Sequence, residues 1–319
     1  MAYGQLGHLG LCFQDSAGTL QTGSMFFIPL VSESIAESIE PLLETGMYGR
    51  LAESPTHEGI HKIEGDLRTE AHPVLIGAFL KAALGRATSS LQGSAYVHEF
   101  LPATGDWDAL AAVPPTTLEI HRDVGSAFVY YDVLANALTL EIAQGQLLTA
   151  QLSAVGGRMT RLARSAPTYR GGRPFGWDVV SASYDGQGIA DLRKISLAFD
   201  NHLAAQYTLT GGKYPRRVVR DGPQTVSLEG TLVLRDQVLF QEFLDQSEKR
   251  LVMTFDGAQV ASGTPARLSL DIPRLRFTEF APRLAGPGQV EVGFSAKGIY
   301  DTASGYALRA TLVNTQAAY

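Results

Sequence analysis

Met47-Tyr48-Gly49-Arg50, followed by Ile63-Glu64-Gly65-Asp66-Leu67, is written twice in this chain. Lys213-Tyr214-Pro215-Arg216 and Leu228-Glu229-Gly230-Thr231-Leu232 carry the same kinds of residue at nearly the same spacing. Tyr48 and Tyr214 are 166 positions apart, as are Arg50 and Arg216, while Glu64-Gly65 and Glu229-Gly230 are 165 apart. One residue of insertion therefore separates the copies. Two units at this period are too few and too long for a solenoid, so the repeat reads as a domain duplication.

The surroundings of the repeat agree in order. In the first copy, Gly59–Arg68 reads as a strand and leads to Pro73, which suits a first helical position, then to the apolar run Val74–Leu84, stopped by Gly85. In the second, Leu232-Val233-Leu234 is followed by Asp236, a capping residue, and by Gln237–Gln246 with a stripe of Leu239, Phe240, Phe243 and Leu244. Upstream, Ser32–Leu43 fits both a helix with a capping box and a strand. Its expected counterpart Ala204–Thr210 is β-rich, which favours extended chain in both copies.

The remainder reads as short strands between turn residues. They are Ala95–Leu101, Thr117–His121, Ala127–Tyr131, Ala137–Ile142 and Leu147–Ala154 after the first helix, and Leu251–Phe255, Ala266–Ile272, Leu275–Phe280, Val290–Ala296 and Ala307–Val313 after the second. The fold class is mainly β: two tandem sandwich or barrel domains, each with one flanking helix. The expected division is an N-terminal arm or edge strand over 1–23, a first domain over 24–155, an Arg- and Gly-rich linker with one strand near Trp177–Ser183 over 156–190, and a second domain over 191–319.

Composition narrows the function. The chain has 319 residues, 45% hydrophobic and 18% charged, which fits about two folded domains. No leader or apolar run long enough to span a bilayer is read in it, and its single cysteine, Cys12, leaves no internal disulfide, which fits synthesis in a reducing cytoplasm. The net charge of -6 argues against nonspecific nucleic-acid binding, although Arg158, Arg161, Arg164, Arg170 and Arg173 crowd one stretch without an acid. Thin aromatic interleaving there favours a solvated or partner-contacting linker over single-stranded nucleic acid.

Candidate chemistry is sparse. His57-Glu58-Gly59-Ile60-His61 matches the H-E-x-x-H zinc pattern, which works only on a helix. Pro55 upstream and Gly59 inside the pattern point to a loop entering a strand, so a zinc hydrolase using His57, Glu58 and His61 is the weakest of the readings. No cofactor pattern is present, and His72, His98, His121 and His202 read as surface or strand-end residues. The aromatic residues read as sandwich core or subunit interface.

The order Pro29-Leu30-Val31-Ser32-Glu33-Ser34, Gly49-Arg50, Gly59, Ile63-Glu64-Gly65, Glu70, Pro73, Gly77, Leu80-Lys81 and Leu84-Gly85 resembles the first half of a tail tube protein of long-tailed phages. The second half is similar through Ile195–Asn201, Tyr214-Pro215-Arg216, Ser227–Gly230, Asp271-Ile272-Pro273, Gly305 and Leu308–Asn314. The resemblance implies a virion structural protein without an active site, made in the host bacterial cytoplasm, whose copies form rings stacked into a hollow tube. It also implies a tube domain of sandwich or barrel type, usually six to a ring. Its partners would be further copies of itself, tape-measure, terminator and distal tail proteins, and phage DNA passing without specific binding. A tail terminator or a secretion-type tube component is the alternative of the same class. With two tube domains per chain, three chains would close a pseudo-sixfold ring, and this homotrimer is favoured over a homohexamer. An acidic or neutral wall would let DNA slide, which places the Arg-rich stretch away from the lumen. Tyr48, Arg50, Glu64, Gly65 and their counterparts Tyr214, Arg216, Glu229 and Gly230 are expected to be turn, sheet or interface residues. The 1–23 arm and the Pro102–Pro115 loop are candidates for contacts between rings.

Overall fold

A computed structural model describes residues 3–49, 51–53, 56–103, 113–170, 172–210, 212–261, 263–282 and 287–319. The chain is mainly β. In order, its strands are β1 (His8–Phe13), β2 (Phe26–Ile28), β3 (Ser32–Glu33), β4 (Ala36–Leu43) and β5 (Thr56–Glu70). Helix α1 (Ile76–Leu84) follows, then β6 (Gly85–Gln92), β7 (Ala95–Pro102), β8 (Thr116–His121), β9 (Ala127–Ala143), β10 (Thr149–Val155) and β11 (Arg158–Leu162). The second half has β12 (Val180–Tyr184), β13 (Gln187–Gly188), β14 (Leu192–Asp200), β15 (Leu203–Gln206), β16 (Arg217–Arg220) and β17 (Thr225–Val233). After helix α2 (Val238–Leu244) come β18 (Lys249–Ala261), β19 (Thr264–Pro282), β20 (Glu291–Gly298) and β21 (Arg309–Asn314).

The pairings around the two longest strands follow one plan. Along one edge of β9 run β11 and then β10, and β10 also pairs with β5, the strand before α1. Along one edge of β19 run β21 and then β20, and β20 also pairs with β17, the strand before α2. The strand β8 pairs with β9 and with β1, as β18 pairs with β19 and with β12. Among the described residues the β6–β7 hairpin has no counterpart after α2; it reaches across, β7 pairing with β21. Strands β3 and β4 lie against β5 where β14 lies against β17. The structural counterpart of Ser32–Leu43 is thus β14, and not Ala204–Thr210, which falls on and after the separate β15–β16 pair.

Three expectations change. Within 1–23, the expected arm or edge strand, β1 is interior: it pairs with β2 on one side and β8 on the other, and Leu9 and Leu11 are fully buried. The stretch 156–190 contains β11, β12 and β13 where one strand was expected, and β11 continues the line of β10 along β9 after a turn at Gly156 and Gly157, both at positive φ. His98 is buried in mid-strand, with hydrogen bonds to Ser89 (2.7 Å) and Asn314 (3.0 Å), whereas His121 stands at the end of β8 as expected, though buried. Of the Pro102–Pro115 loop, 104–112 lie outside the described residues.

Helix α1 is the buried element that its apolar run predicts. Except for Lys81 every residue in it is buried, and it packs on β6, β7, β9 and β10. Gly77 is required there, since a Cβ would stand 2.2 Å from the Tyr319 ring. Gly85 ends the helix at φ 88° with its N–H donated to the Lys81 carbonyl. Helix α2 is half-buried on β19, started by Asp236, whose carboxylate accepts from the Val238 N–H at 3.0 Å.

Candidate conduit surface

The two halves are joined by a sheet edge. Strand β14 pairs antiparallel with β9 over seven positions, from Lys194 opposite Ala143 to Asp200 opposite Ala137. One hydrogen-bonded sheet therefore runs through the order β4, β5, β10, β9, β14, β17, β20, β19. Asn201 secures the joint. Its fully buried side-chain amide donates to the carbonyls of Ala83 (2.8 Å) and Ala135 (3.1 Å), while its oxygen accepts from Gln224 (2.8 Å).

Period-two alternation gives this sheet two unlike faces. One is apolar and buried, with Leu67, Leu152, Leu138, Phe199 and Val226 in successive strands. On the other, the register aligns Glu70, Thr149, Glu141, Ser196, Glu229, Ser295 and Glu279 in a single row across seven strands. At the positions where β5, β10, β9, β14, β17, β20 and β19 pair with one another, the polar face carries eight carboxylates, Glu64, Asp66, Glu70, Glu141, Asp200, Glu229, Glu279 and Glu291, against four cations, Arg68, Lys194, Arg276 and Lys297, with Lys62 and Glu40 in contact beyond them at the β4 end. Lys194 contacts Glu141, and Arg68 lies 3.7 Å from it. Between the charges stand small or hydroxyl residues, among them Thr139, Ala198, Ser227 and Thr231. The surface is polar and net acidic, and offers a polyanion few anchoring cations.

The repeated Glu-Gly pairs sit at matching places on this face. Glu64 and Glu229 are exposed on β5 and β17, and each following glycine is required by the neighbouring strand. A Cβ on Gly65 (φ 149°) would meet the Ser34 carbonyl oxygen at 2.5 Å; one on Gly230 would meet the Lys194 carbonyl oxygen at 2.9 Å and the Phe294 ring at 2.5 Å. The tyrosines differ. Tyr48 is exposed and contacts Glu44, whereas Tyr214 packs on the His61 ring at 4.6 Å and donates to Glu37 at 2.9 Å. Burial and the Glu37 carboxylate push the Tyr214 hydroxyl up to about 12. The Arg216 N–H is bonded to the Gln206 carbonyl at 2.8 Å, and Arg50 lies outside the described residues.

His57, Glu58 and His61 lie on β5, not on a helix. Four residues of strand separate two imidazoles by about 13 Å, too far to share one metal ion. Each has other partners: His57 meets Glu44 at 2.6 Å, and His61 lies between Glu37 and Glu58, both at 2.7 Å. Hydrogen bonding to Glu37 and then to Glu58 raises the His61 pKa despite partial desolvation. Among the described residues, no cluster of three metal-ligating side chains is found.

The arginines of 158–173 make local contacts. Arg158 stands over the Tyr214 ring and Arg161 over the Phe128 ring, at 5.7 and 5.2 Å. Arg170 bonds Gln316 at 3.2 Å and Arg173 meets Asp178 at 3.3 Å, while Arg164 is exposed. The alignment of the acidic row escaped sequence reasoning, because register between distant strands is not written in any one of them.

A family model described as phage tail tube protein matches residues 4–298. The chain belongs to the phage tail tube protein family. No curated protein matches it. Membership gives the chain a structural role in the tail. No described helix is long and apolar enough to cross a membrane.

Proposed function

We propose that the chain is the self-assembling subunit of a tail tube, with the acidic face of the continuous sheet lining the conduit for the phage genome. The observation that carries this reading is the row Glu70, Glu141, Glu229 and Glu279, which crosses the joint between the halves without changing face. A wall of this kind repels phosphates and leaves DNA free to slide. The two halves are read as duplicated tube domains, supported by the common pairing plan around β9 and β19 and by the two glycines under a neighbouring carbonyl. They would sit roughly sixty degrees apart about the ring axis, so that three chains close a pseudo-sixfold ring. Arg158, Arg161, Arg164, Arg170 and Arg173 lie off the lumen face and are available to neighbouring subunits. Tape-measure, terminator and distal tail proteins are the further partners of such a tube, and no enzymatic step is part of its work.

Electron microscopy of the purified protein tests this reading. Rings or stacked tubes are expected as concentration rises, and a protein that stays monomeric at every concentration would contradict it.

A further inference from the structure

His57-Glu58-Gly59-Ile60-His61 has a use that its zinc-like spacing does not suggest. The ladder of β4 on β5 shifts register between Ile39 and Pro41, opposite His61 and Glu58, which places a bulge at Gly59 and Ile60. Gly59 is required there, since a Cβ would stand 2.1 Å from the Glu40 carbonyl oxygen. The bulge brings Glu58 to the same face as His61, and its carboxylate reaches the imidazole Nε2 at 2.7 Å. From β4, Glu37 reaches Nδ1 at 2.7 Å. Carboxylates on both ring nitrogens require a donor on each, which is the imidazolium; a neutral ring offers one N–H and one lone pair.

The loop between β15 and β16 is fastened to this pin. Strand β10 leaves β5 at Glu64, with the Gly156 N–H donating to the Ile63 carbonyl at 3.0 Å. Beyond that point the loop takes over the edge: the His61 N–H donates to the Lys213 carbonyl and the Tyr207 hydroxyl to the His61 carbonyl, both at 2.8 Å. Lys213 pairs with Glu58, and Tyr214, packed on the imidazole, donates to the same Glu37 oxygen that faces Nδ1. One step further out, Tyr131 of β9 and Arg158 of β11 stand beyond Tyr214, and Lys62, Glu40 and Glu64 lie around Tyr207. What the loop supports is exposed. Past Ala36 and Glu64, β4 and β5 run on as a two-stranded ribbon that shows Ile39, Leu42 and Leu43 to solvent. Such a ribbon is marginal by itself.

We propose that the His61 imidazolium is the pin of a clasp by which the second half holds the β4–β5 ribbon of the first, and that loss of its proton releases both the loop and the ribbon. A lone pair would then face one of the two carboxylates, breaking the tie to β4 or the tie to Glu58 and Lys213. Hydrogen bonding to Glu37 and then to Glu58 raises the His61 pKa, so the clasp is closed below that raised value and opens as pH rises through it. Lys213, and then His61, hold the Glu58 carboxyl below its usual range, which keeps that side of the clasp charged in mild acid. The device does not depend on the tube reading, and any contact that the ribbon makes inherits its pH dependence.

Two measurements on the full chain test it. Histidine-selective nitrogen NMR, with the His61 signals identified by their loss in His61→Gln, should show both ring nitrogens protonated near pH 6 and a midpoint above about 6.5. Hydrogen exchange, corrected for the pH dependence of intrinsic exchange, should show protection in 36–43, 56–63 and 207–216 falling about tenfold or more across the same titration, while β9 and β14 keep theirs. In His61→Gln this step should be absent. Tyr207→Phe leaves the imidazole and both carboxylates in place, and near pH 6 it should lower protection of the loop and the ribbon together. A midpoint at or below about 6.5, protection unchanged across the His61 titration, the same step in His61→Gln, or a Tyr207→Phe variant that loosens the loop alone would each overturn the clasp.

Discussion

Gly65 and Gly230 show how a residue can be fixed by what stands next to it. Both lie under a carbonyl of the adjoining strand, so Gly65→Ala should force Ser34 aside and lower stability by roughly 1–3 kcal/mol, measured by urea unfolding. Glu64, one place earlier and exposed, should tolerate alanine within about 0.5 kcal/mol. That contrast was only half legible in the chain. The repeat marks both residues, and only the packing says which of them the fold cannot spare. His61 makes a second prediction at this scale. Its pKa is raised in the fold, so the stability it contributes is fully present below its unfolded value of about 6.5 and is lost as pH rises through the higher folded value. Melting temperatures followed across that interval should fall more in the unaltered protein than in His61→Gln.

At the scale of elements, the joint between β9 and β14 matters most. Asn201→Ala would leave the buried carbonyls of Ala83 and Ala135 without their donor and should cost about 2 kcal/mol or more in thermal or denaturant unfolding. The helices were legible, because an apolar run ended by Gly85 and an Asp236 cap are local signals. The long strands were read in pieces. In β9 the reading stops at Asp132, which takes φ 59° and is held by Gln14 and the Gly18 N–H (2.7 Å), so the strand continues through a residue that normally marks a turn. In β19, Pro273 lies where the ladder to β18 shifts register between Ile272 and Leu275, so its missing N–H costs the sheet little. Strand β6 gave no signal at all, since Arg86, Thr88, Ser90 and Gln92 stand on an exposed edge without an apolar face.

For the whole molecule, the acidic wall carries a prediction of its own. Tubes of a Glu141→Lys/Glu229→Lys variant should retain DNA at low salt and release it as salt rises, while unaltered tubes should not bind it, as read by cosedimentation. The mainly β class was visible from the chain, and so was the order of the repeat. The single sheet through both halves was not, because it depends on the β9–β14 pairing, which no local pattern announces. Eight strands of each chain lie in that sheet, so a closed ring of three chains would hold about 24. A cryo-electron microscopy map of the assembled tube measures this directly. It should show three chains per ring with Glu70, Glu141, Glu229 and Glu279 facing the lumen. Six chains per ring, or this face turned to the outside of the tube, would contradict it.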